Sequence, residues 1–175
     1  VLFLAWAPFF SGAERALLLT LRALAGTGYE PVVVAGTDGV LPEQVRELGI
    51  SCRVAPLLPL DRQRPWSSVR GIAAVMREAV RHRVSIIHTN EVPSFEPGGR
   101  VARLLRIPAV THVRFPNERS GYEYFLRAGF TRALFVSHAL RDMALSEAPH
   151  VFRGKSEVLH DGVEMQPEAT SAEIA

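Results

Sequence analysis

Short apolar runs alternate with longer segments of helical periodicity along almost the whole chain, and this alternation constrains the fold more than any other feature. The pattern is typical of repeated βα units, in which helices connect buried parallel strands. Residues 31–35 (PVVVA) are continuously apolar rather than alternating, which indicates a strand covered on both faces. We therefore predict an α/β, Rossmann-like fold with an open, mainly parallel sheet and helices on both faces.

The predicted elements follow one another without an internal repeat. Strands are predicted at residues 1–5, 31–35, 51–54, 84–89, 109–113, 133–136 and 157–159. Helices are predicted at residues 13–25, 42–49 and 67–82, in a segment ending at 106, and in a segment that ends at 146 with Ser137 as its N-cap. We predict one domain over residues 1–164, with residues 165–175 as a polar tail or the start of an interdomain linker.

Composition narrows the classes of partner and compartment. The formal net charge of the 175 residues is only +2, so no concentrated basic face for nucleic acid is expected. Cys52 is the single cysteine, which excludes an internal disulfide and a metal cluster built on thiolates. No apolar run approaches the roughly 18 residues that a membrane span needs. We predict a cytoplasmic protein that binds no nucleic acid.

Ligands of such sheets bind where the strands end at their carboxyl edge, which selects the loops at residues 8–14, 36–39, 89–99 and 112–122. In the first of these, Ser11, Gly12 and Glu14 precede or open a helix. The free backbone N–H groups of that helix can receive an anion or a sugar hydroxyl, and Gly12 allows close approach. The alternative is a structural turn in which Ser11 caps the helix and Glu14 favours its positive end.

Two polar pairs end the fourth and fifth predicted strands. His112 and Arg114 lie on the same side of the sheet if the fifth strand alternates, and together they can stabilise negative charge or orient a hydroxyl. The alternative is a structural histidine and a surface arginine. Asn90 and Glu91 are placed to hydrogen-bond a polyhydroxylated ligand, whereas His88 alternates with buried isoleucines and is interpreted as a core residue.

The segment at residues 114–122 (RFPNERSGY) is polar and aromatic, which is typical of a ligand-facing loop but equally of a solvated connector. Arg119 and Tyr122 are its candidate substrate-binding residues.

The long helix at 67–82 carries three arginines, Arg70, Arg77 and Arg81, on one face, with Arg62 and Arg64 just upstream. A basic amphipathic helix can contact anionic lipid at a membrane surface. A simple solvated face is the more common meaning of such charges.

Several motifs of other enzyme classes are missing. The sequence has neither the G-x-G-x-x-G fingerprint nor the Walker pattern, which counts against an NAD, FAD or P-loop site. No D-x-D pair and no histidine–carboxylate spacing suggests a metal site. We therefore predict no metal and no bound cofactor.

Six segments follow one another along the chain: SGAERA at 11–16, SIIHTN at 85–90, GRVARLLRIPAV at 99–110, THVR at 111–114, LFVSHAL at 134–140 and VLHDGVE at 158–164. In this order they resemble the motifs of retaining family 4 (group 1) glycosyltransferases of the GT-B fold. The resemblance covers nearly the whole chain. The sequence departs from the family's pattern at Ser11-Gly12, where two glycines are usual. It also departs at Asp161 and Glu164, where asparagine and aspartate are common.

The resemblance implies an N-terminal, acceptor-side domain facing a C-terminal domain that binds the nucleotide-sugar donor. It implies transfer to a glycan or lipid-linked acceptor with retention of anomeric configuration and without a metal. His112 or Arg114 would hold the catalytic position, and Gly12 would lie near the donor phosphates or the acceptor. Because the donor-binding domain is expected to be absent from this chain, we expect the fragment alone to be inactive.

Two other functions remain open at this point. The chain can be a non-enzymatic glycan-binding module that uses the loops at 89–99 and 112–122. It can also be half of an epimerase-like GT-B enzyme, which would release free sugar and nucleotide without an acceptor. An ordinary dinucleotide-binding Rossmann domain is disfavoured by the missing glycine fingerprint.

Overall fold

The computed structural model of the chain describes residues 1–6, 9–59 and 65–163. Its seven strands form one sheet in the order β3-β2-β1-β4-β5-β6-β7, and every adjacent pair is parallel. The strands are β1 (Leu2–Ala5), β2 (Val32–Ala35), β3 (Ser51–Val54), β4 (Ile87–Thr89), β5 (Ala109–Val113), β6 (Arg132–Phe135) and β7 (Ser156–Val158). The predicted α/β, Rossmann-like class is confirmed, and each predicted strand corresponds to an observed one.

Helices cover both faces of the sheet. They are α1 (Gly12–Ala23), α2 (Val40–Glu47), α3 (Pro65–Arg81), α4 (Phe95–Leu105), α5 (Arg119–Phe125), α6 (His138–Glu147) and α7 (Pro149–Phe152), with a 3₁₀ turn at Val92–Ser94. Leucines of α1 and α2 pack with Phe3 and Val33 in one hydrophobic cluster. The other cluster joins the opposite face to α3, α4 and the helices that follow, and it includes Val75, Val101 and Phe135.

Helix α4 starts earlier than predicted, so most of the expected loop at 89–99 is helical. Phe95 is its first residue, and Pro97 lies in the first turn, where its missing N–H is not needed. Gly98 faces the sheet so closely that a Cβ atom there would lie 2.5 Å from Leu4 Cδ1. The prolines and glycines that suggested a loop instead allow the helix to begin directly against β1 and β4.

The predicted loop at 112–122 is also shorter than expected, because α5 begins at Arg119. Tyr122 on this helix is 1% exposed and packs edge-to-face on Phe152 of α7, with ring centroids 4.9 Å apart. Burial of this aromatic pair stabilises α5 against α7 and explains why the segment is helical. Neither helix was predicted from the sequence.

None of the helices in the described part of the chain is long and apolar enough to cross a membrane.

Candidate functional site

The site is built at the point where the sheet changes direction. The chain leaves β1 toward β2 on one side and leaves β4 toward β5 on the other, so a crevice opens at the carboxyl ends of these two central strands. Asn90 closes the floor of this crevice. Its backbone N–H donates to Leu4 O at 2.8 Å, and its side-chain Nδ2 donates to Ala13 O at 3.0 Å. Asn90 therefore ties β1, β4 and α1 together.

Arg114 connects the ends of β4 and β5. Its Nε donates to Asn90 O at 3.0 Å, and its Nη2 donates to Asn90 Oδ1 at 3.1 Å. Nη2 also lies 3.2 Å from His112 Nδ1, so the two predicted catalytic residues are on the same side of the sheet, as strand alternation predicts. Nη1 forms an ion pair with Asp161, which follows β7. Planar donors of this kind hold several acceptors in fixed directions.

The contact with Arg114 fixes the protonation state of His112. Because a guanidinium can only donate hydrogen bonds, His112 Nδ1 accepts, and the neutral ring carries its proton on Nε2. Burial, reinforced by the positive charge of Arg114, lowers the pKa of His112 to about 4. His112 Nε2 is buried, finds no hydrogen-bond partner among the described residues, and lies 4.0 Å from Asp161 Oδ1. The site thus presents one unused N–H donor.

His88 belongs to the same cluster, although the sequence suggested only a core role. Its ring lies 5.8 Å from that of His112 and 5.1 Å from that of Phe3, measured between centroids. Burial, with smaller contributions from the charges of His112 and Arg114, lowers the pKa of His88 to about 3. The sequence alone does not place it there: the parallel register of the structure pairs His88 with Val110, so His88 shares a face with His112, two residues further on.

Glu91 lies in the framework beneath the site. Its Oε1 accepts a hydrogen bond from the backbone N–H of Trp6, and its Oε2 is buried without a partner among the described residues. Burial raises the pKa of Glu91 to about 7. Glu91 is 4% exposed and Asn90 is 1% exposed, so the structure gives both predicted substrate ligands the role of holding the strand ends in place.

The start of α1 has the capping arrangement weighed as the alternative for this loop. Glu14 accepts from the backbone N–H of Ser11, and Ser11 Oγ accepts from Ala13 N–H at 3.3 Å. Ser11 and Glu14 are therefore occupied by the helix cap. Gly12 differs from them, because a Cβ atom at this residue would meet nothing within 4 Å. Pro8, in the same loop, lies outside the described residues.

Gly12 opens onto a cleft of about 620 Å³ between α1 and the segment that follows β7. Arg15 and Arg22 line the cleft from α1, and Asp161 lines it from the opposite wall. Since Asp161 also pairs with Arg114, the cleft adjoins the histidine–arginine cluster. Asp161 therefore connects the cleft to the histidine–arginine cluster.

The two remaining candidates from the sequence lie elsewhere. Arg119 is exposed at the first turn of α5, where its Nε donates to Glu123 at 2.8 Å and its backbone N–H donates to Glu147 at 3.1 Å. The hydroxyl of Tyr122 accepts from the backbone N–H of Asn117 at 3.1 Å, and its ring is in the core. The structure gives Tyr122 a packing role and Arg119 a place in an exposed charge network.

A search for metal ligands gives no candidate centre. Within residues 1–6, 9–59 and 65–163, no three histidine, cysteine, aspartate or glutamate side chains are grouped so that they could hold a metal ion.

Comparison with known proteins identifies relatives at the level of family and fold. The family described as Glycosyltransferase Family 4 matches residues 10–166. No curated protein matches the chain.

The fold also matches solved structures. A crystal structure of HepE from Anabaena with UDP-glucose has a TM-score of 0.73 at 19% identity, over 93% of this chain and 44% of HepE. A glycosyltransferase from Rickettsia africae has a TM-score of 0.70 at 17% identity, over 93% of this chain and 43% of that enzyme. MurG from Acinetobacter baumannii has a TM-score of 0.65 at 15% identity, over 91% of this chain and 44% of MurG. The chain therefore spans less than half the length of these proteins and shares their fold.

Proposed function

This chain belongs to glycosyltransferase family 4, and we propose that it forms the acceptor-binding half of an enzyme that transfers a sugar from a nucleotide-sugar donor. Its fold is that of the N-terminal, Rossmann-like domain of GT-B glycosyltransferases. The proposal includes a glycan or lipid-linked acceptor, a hexosyl group as the cargo, retention of anomeric configuration, and chemistry without a metal or another cofactor. These finer points are supported by the resemblance of the ordered motifs to the family.

The observation that carries the proposal is the open cleft beside a neutral histidine with one unused donor. His112 Nε2–H lies 4.0 Å from Asp161 Oδ1 without a hydrogen bond while Nδ1 is held by Arg114, so the ring can donate to a hydroxyl or to an oxygen that gains negative charge. Arg114 adds a fixed positive charge beside it. We propose that these two residues contact the reacting groups, and that Gly12 lets a sugar approach the backbone of α1.

Two alternatives share this fold and differ in products. A glycan-binding module would lose binding on Arg114→Ala and would need no second domain. An epimerase-like enzyme would release free sugar and nucleotide from a nucleotide sugar in the absence of an acceptor. The family match to a glycosyltransferase favours transfer over both.

The first prediction concerns turnover. We expect the 175-residue chain to transfer no sugar by itself, since the proposal assigns the nucleotide-sugar donor to a second domain. Incubation with UDP-glucose, UDP-N-acetylglucosamine or GDP-mannose and a panel of glycan acceptors should release nucleotide no faster than heat-denatured chain does. Nucleotide release that increases in proportion to the amount of folded chain would contradict the division of labour proposed here.

A second partner is suggested by the outer face of α3. The side chains of Trp66, Val69 and Val80 are exposed there, by 79%, 47% and 59%. Arg70, Arg77 and Arg81 are also exposed on this helix, whereas its one acidic residue, Glu78, is buried. Apolar and basic side chains without exposed acids match an anionic lipid surface. We propose that α3 rests on the inner face of the membrane as a peripheral contact of a cytoplasmic protein; Arg62 and Arg64 lie outside the described residues.

The measurement for this contact is co-sedimentation with vesicles containing anionic phospholipid. Changing Arg70, Arg77 and Arg81 together to glutamine should lower the bound fraction several-fold, because each basic residue near the surface contributes about 1 kcal/mol. A control variant with glutamine at Arg46, Arg132 and Arg153 removes the same charge from other exposed positions. Equal binding of the two variants to the vesicles would show that α3 is not the surface that contacts the membrane.

A further inference from the structure

Asp161 occupies an unusual position for a residue outside regular secondary structure. It lies in the coil after β7, where Leu159 N–H donates to Phe135 O at 2.9 Å and His160 Nδ1 lies 2.9 Å from Val136 O. These bonds carry the chain back across the carboxyl edge of the sheet. Its carboxylate is thereby brought to Arg114, a residue 47 positions earlier in the sequence.

The groups facing the Asp161 carboxylate are both N–H donors. Arg114 Nη1 pairs with Oδ2, and His112 Nε2 lies 4.0 Å from Oδ1. The Arg114 and His112 side chains are 7% and 5% exposed, whereas the Asp161 side chain is 34% exposed. The two donors are therefore part of the rigid strand ends, and the acceptor comes from a surface segment. His112 Nε2 remains without a hydrogen bond, so the carboxylate satisfies this pair of donors only in part.

We propose that Arg114 and His112 form a binding site for an anionic group of the ligand, a phosphate or a carboxylate, and that Asp161 fills this site when no ligand is bound. A ligand oxyanion can accept from Arg114 Nη1 and His112 Nε2 together, which Asp161 does not achieve at 4.0 Å. The inference deepens the proposed function by naming the charge of the molecule in the cleft.

The adjoining cleft supports the same charge for the ligand. Arg15 and Arg22 line it from α1, and among the described residues that line it Asp161 is the only acidic one. When the Asp161 carboxylate moves away from Arg114, three arginines and one N–H donor surround the space. With about 620 Å³, the cleft accommodates a sugar-sized group attached to the anion.

The site can be tested with inorganic pyrophosphate as the probe and the 175-residue chain as the protein, by NMR titration that follows the His112 ring and the Arg114 Nε–H. Asp161→Asn keeps the shape of the side chain but removes its charge. We expect the dissociation constant for pyrophosphate to fall about tenfold in this variant, because the internal competitor no longer occupies the donors. The largest shifts should be those of His112 and Arg114.

Glu157→Gln is the matched control. It removes one negative charge from an exposed residue of β7 that pairs with Arg132, so the change in net charge is the same. Equal affinity of Asp161→Asn and Glu157→Gln for both pyrophosphate and glucuronate would overturn the inference, as would shifts that leave His112 unaffected.

A parallel titration with glucuronate distinguishes the two sources of the anion. Tighter binding of pyrophosphate in Asp161→Asn assigns the site to a phosphate, tighter binding of glucuronate assigns it to a sugar carboxylate, and tighter binding of neither contradicts the proposal. Because these titrations detect binding alone, their failure leaves the proposed transfer reaction standing.

Discussion

Replacing Arg114 with methionine should lower the free energy of unfolding by about 2–4 kcal/mol. The substitution keeps much of the side-chain volume but leaves Asn90 Oδ1 and His112 Nδ1 without their donor. It also removes the counter-ion of Asp161, which is partly exposed and therefore recovers some hydration. Chemical denaturation at pH 7 measures the change.

The matched control is Arg132→Met. Arg132 pairs with Glu157 at 3.1 Å, but both side chains are about half exposed or more, so the loss should stay below about 0.5 kcal/mol. Arg114→Lys should fall between the two, because lysine keeps the charge and loses the planar set of donors. If Arg114→Met is no more destabilising than Arg132→Met, Arg114 does not organise the strand ends.

Replacing Gly71 with alanine should cost about 3 kcal/mol of stability, although alanine is the better helix former. A Cβ atom at Gly71 would lie 2.0 Å from the backbone oxygen of Pro56, and a backbone atom cannot move aside as the end of a side chain can. Ser68 lies one turn earlier and donates to Pro59 O at 2.8 Å, so α3 contacts this connection along its length. Relief of the clash requires displacement of α3 from the sheet.

Gly12→Ala is the control for this effect. Gly12 opens α1, and an added Cβ atom meets nothing within 4 Å, so the free energy of unfolding should change by less than about 1 kcal/mol. Thermal and chemical unfolding of both variants give the comparison. A Gly71→Ala protein as stable as Gly12→Ala would mean that α3 packs less closely on the connection after β3 than the structure shows.

The fold was predictable because β1 and β2 are short, continuously apolar runs, a pattern that burial on both faces explains. Residues 32–35 of β2 are all fully or almost fully buried, as the continuous apolar sequence indicates. The cap of α6 was also predictable, since Ser137 accepts from Leu140 N–H at 3.2 Å, as its position before the helix suggests. Local chemistry and tertiary structure agree at these positions.

The misjudged segments are those where tertiary packing overrides local preference. Pro97, Gly98 and Gly99 read as loop residues, but Gly98 lets α4 lie against Leu4 of β1, and Gly99 leaves room for Ala128 and for the ring of Phe95 in the same helix. The helix α5 was missed because its one strong signal, Tyr122, is an aromatic residue whose partner Phe152 is distant in sequence. Neither contact is visible to reasoning over a short window.

In the candidate site, too, some contacts follow from local sequence patterns and others depend on tertiary structure. Strand alternation placed His112 beside Arg114, because that relation depends only on a period of two residues. Asp161 could not be placed, since its contact depends on how the chain returns after β7. The hydrogen bonds by which Asn90 and Glu91 hold β1, β4 and α1 together were not visible in the sequence, and their contact with a ligand stays a prediction.

The central claim is that this chain presents an acceptor site at the carboxyl ends of β1, β4 and β5. The most direct test is an amide NMR titration of the 175-residue chain with a panel of glycan acceptors, UDP, GDP and NAD. The account predicts saturable shifts around Gly12, Asn90, His112 and Arg114 with an acceptor, and it confines any response to the nucleotides to His112 and Arg114, where their diphosphate groups meet the proposed anion site. Saturable shifts with NAD centred on the segment before α1 would contradict it and would indicate a dinucleotide-binding domain.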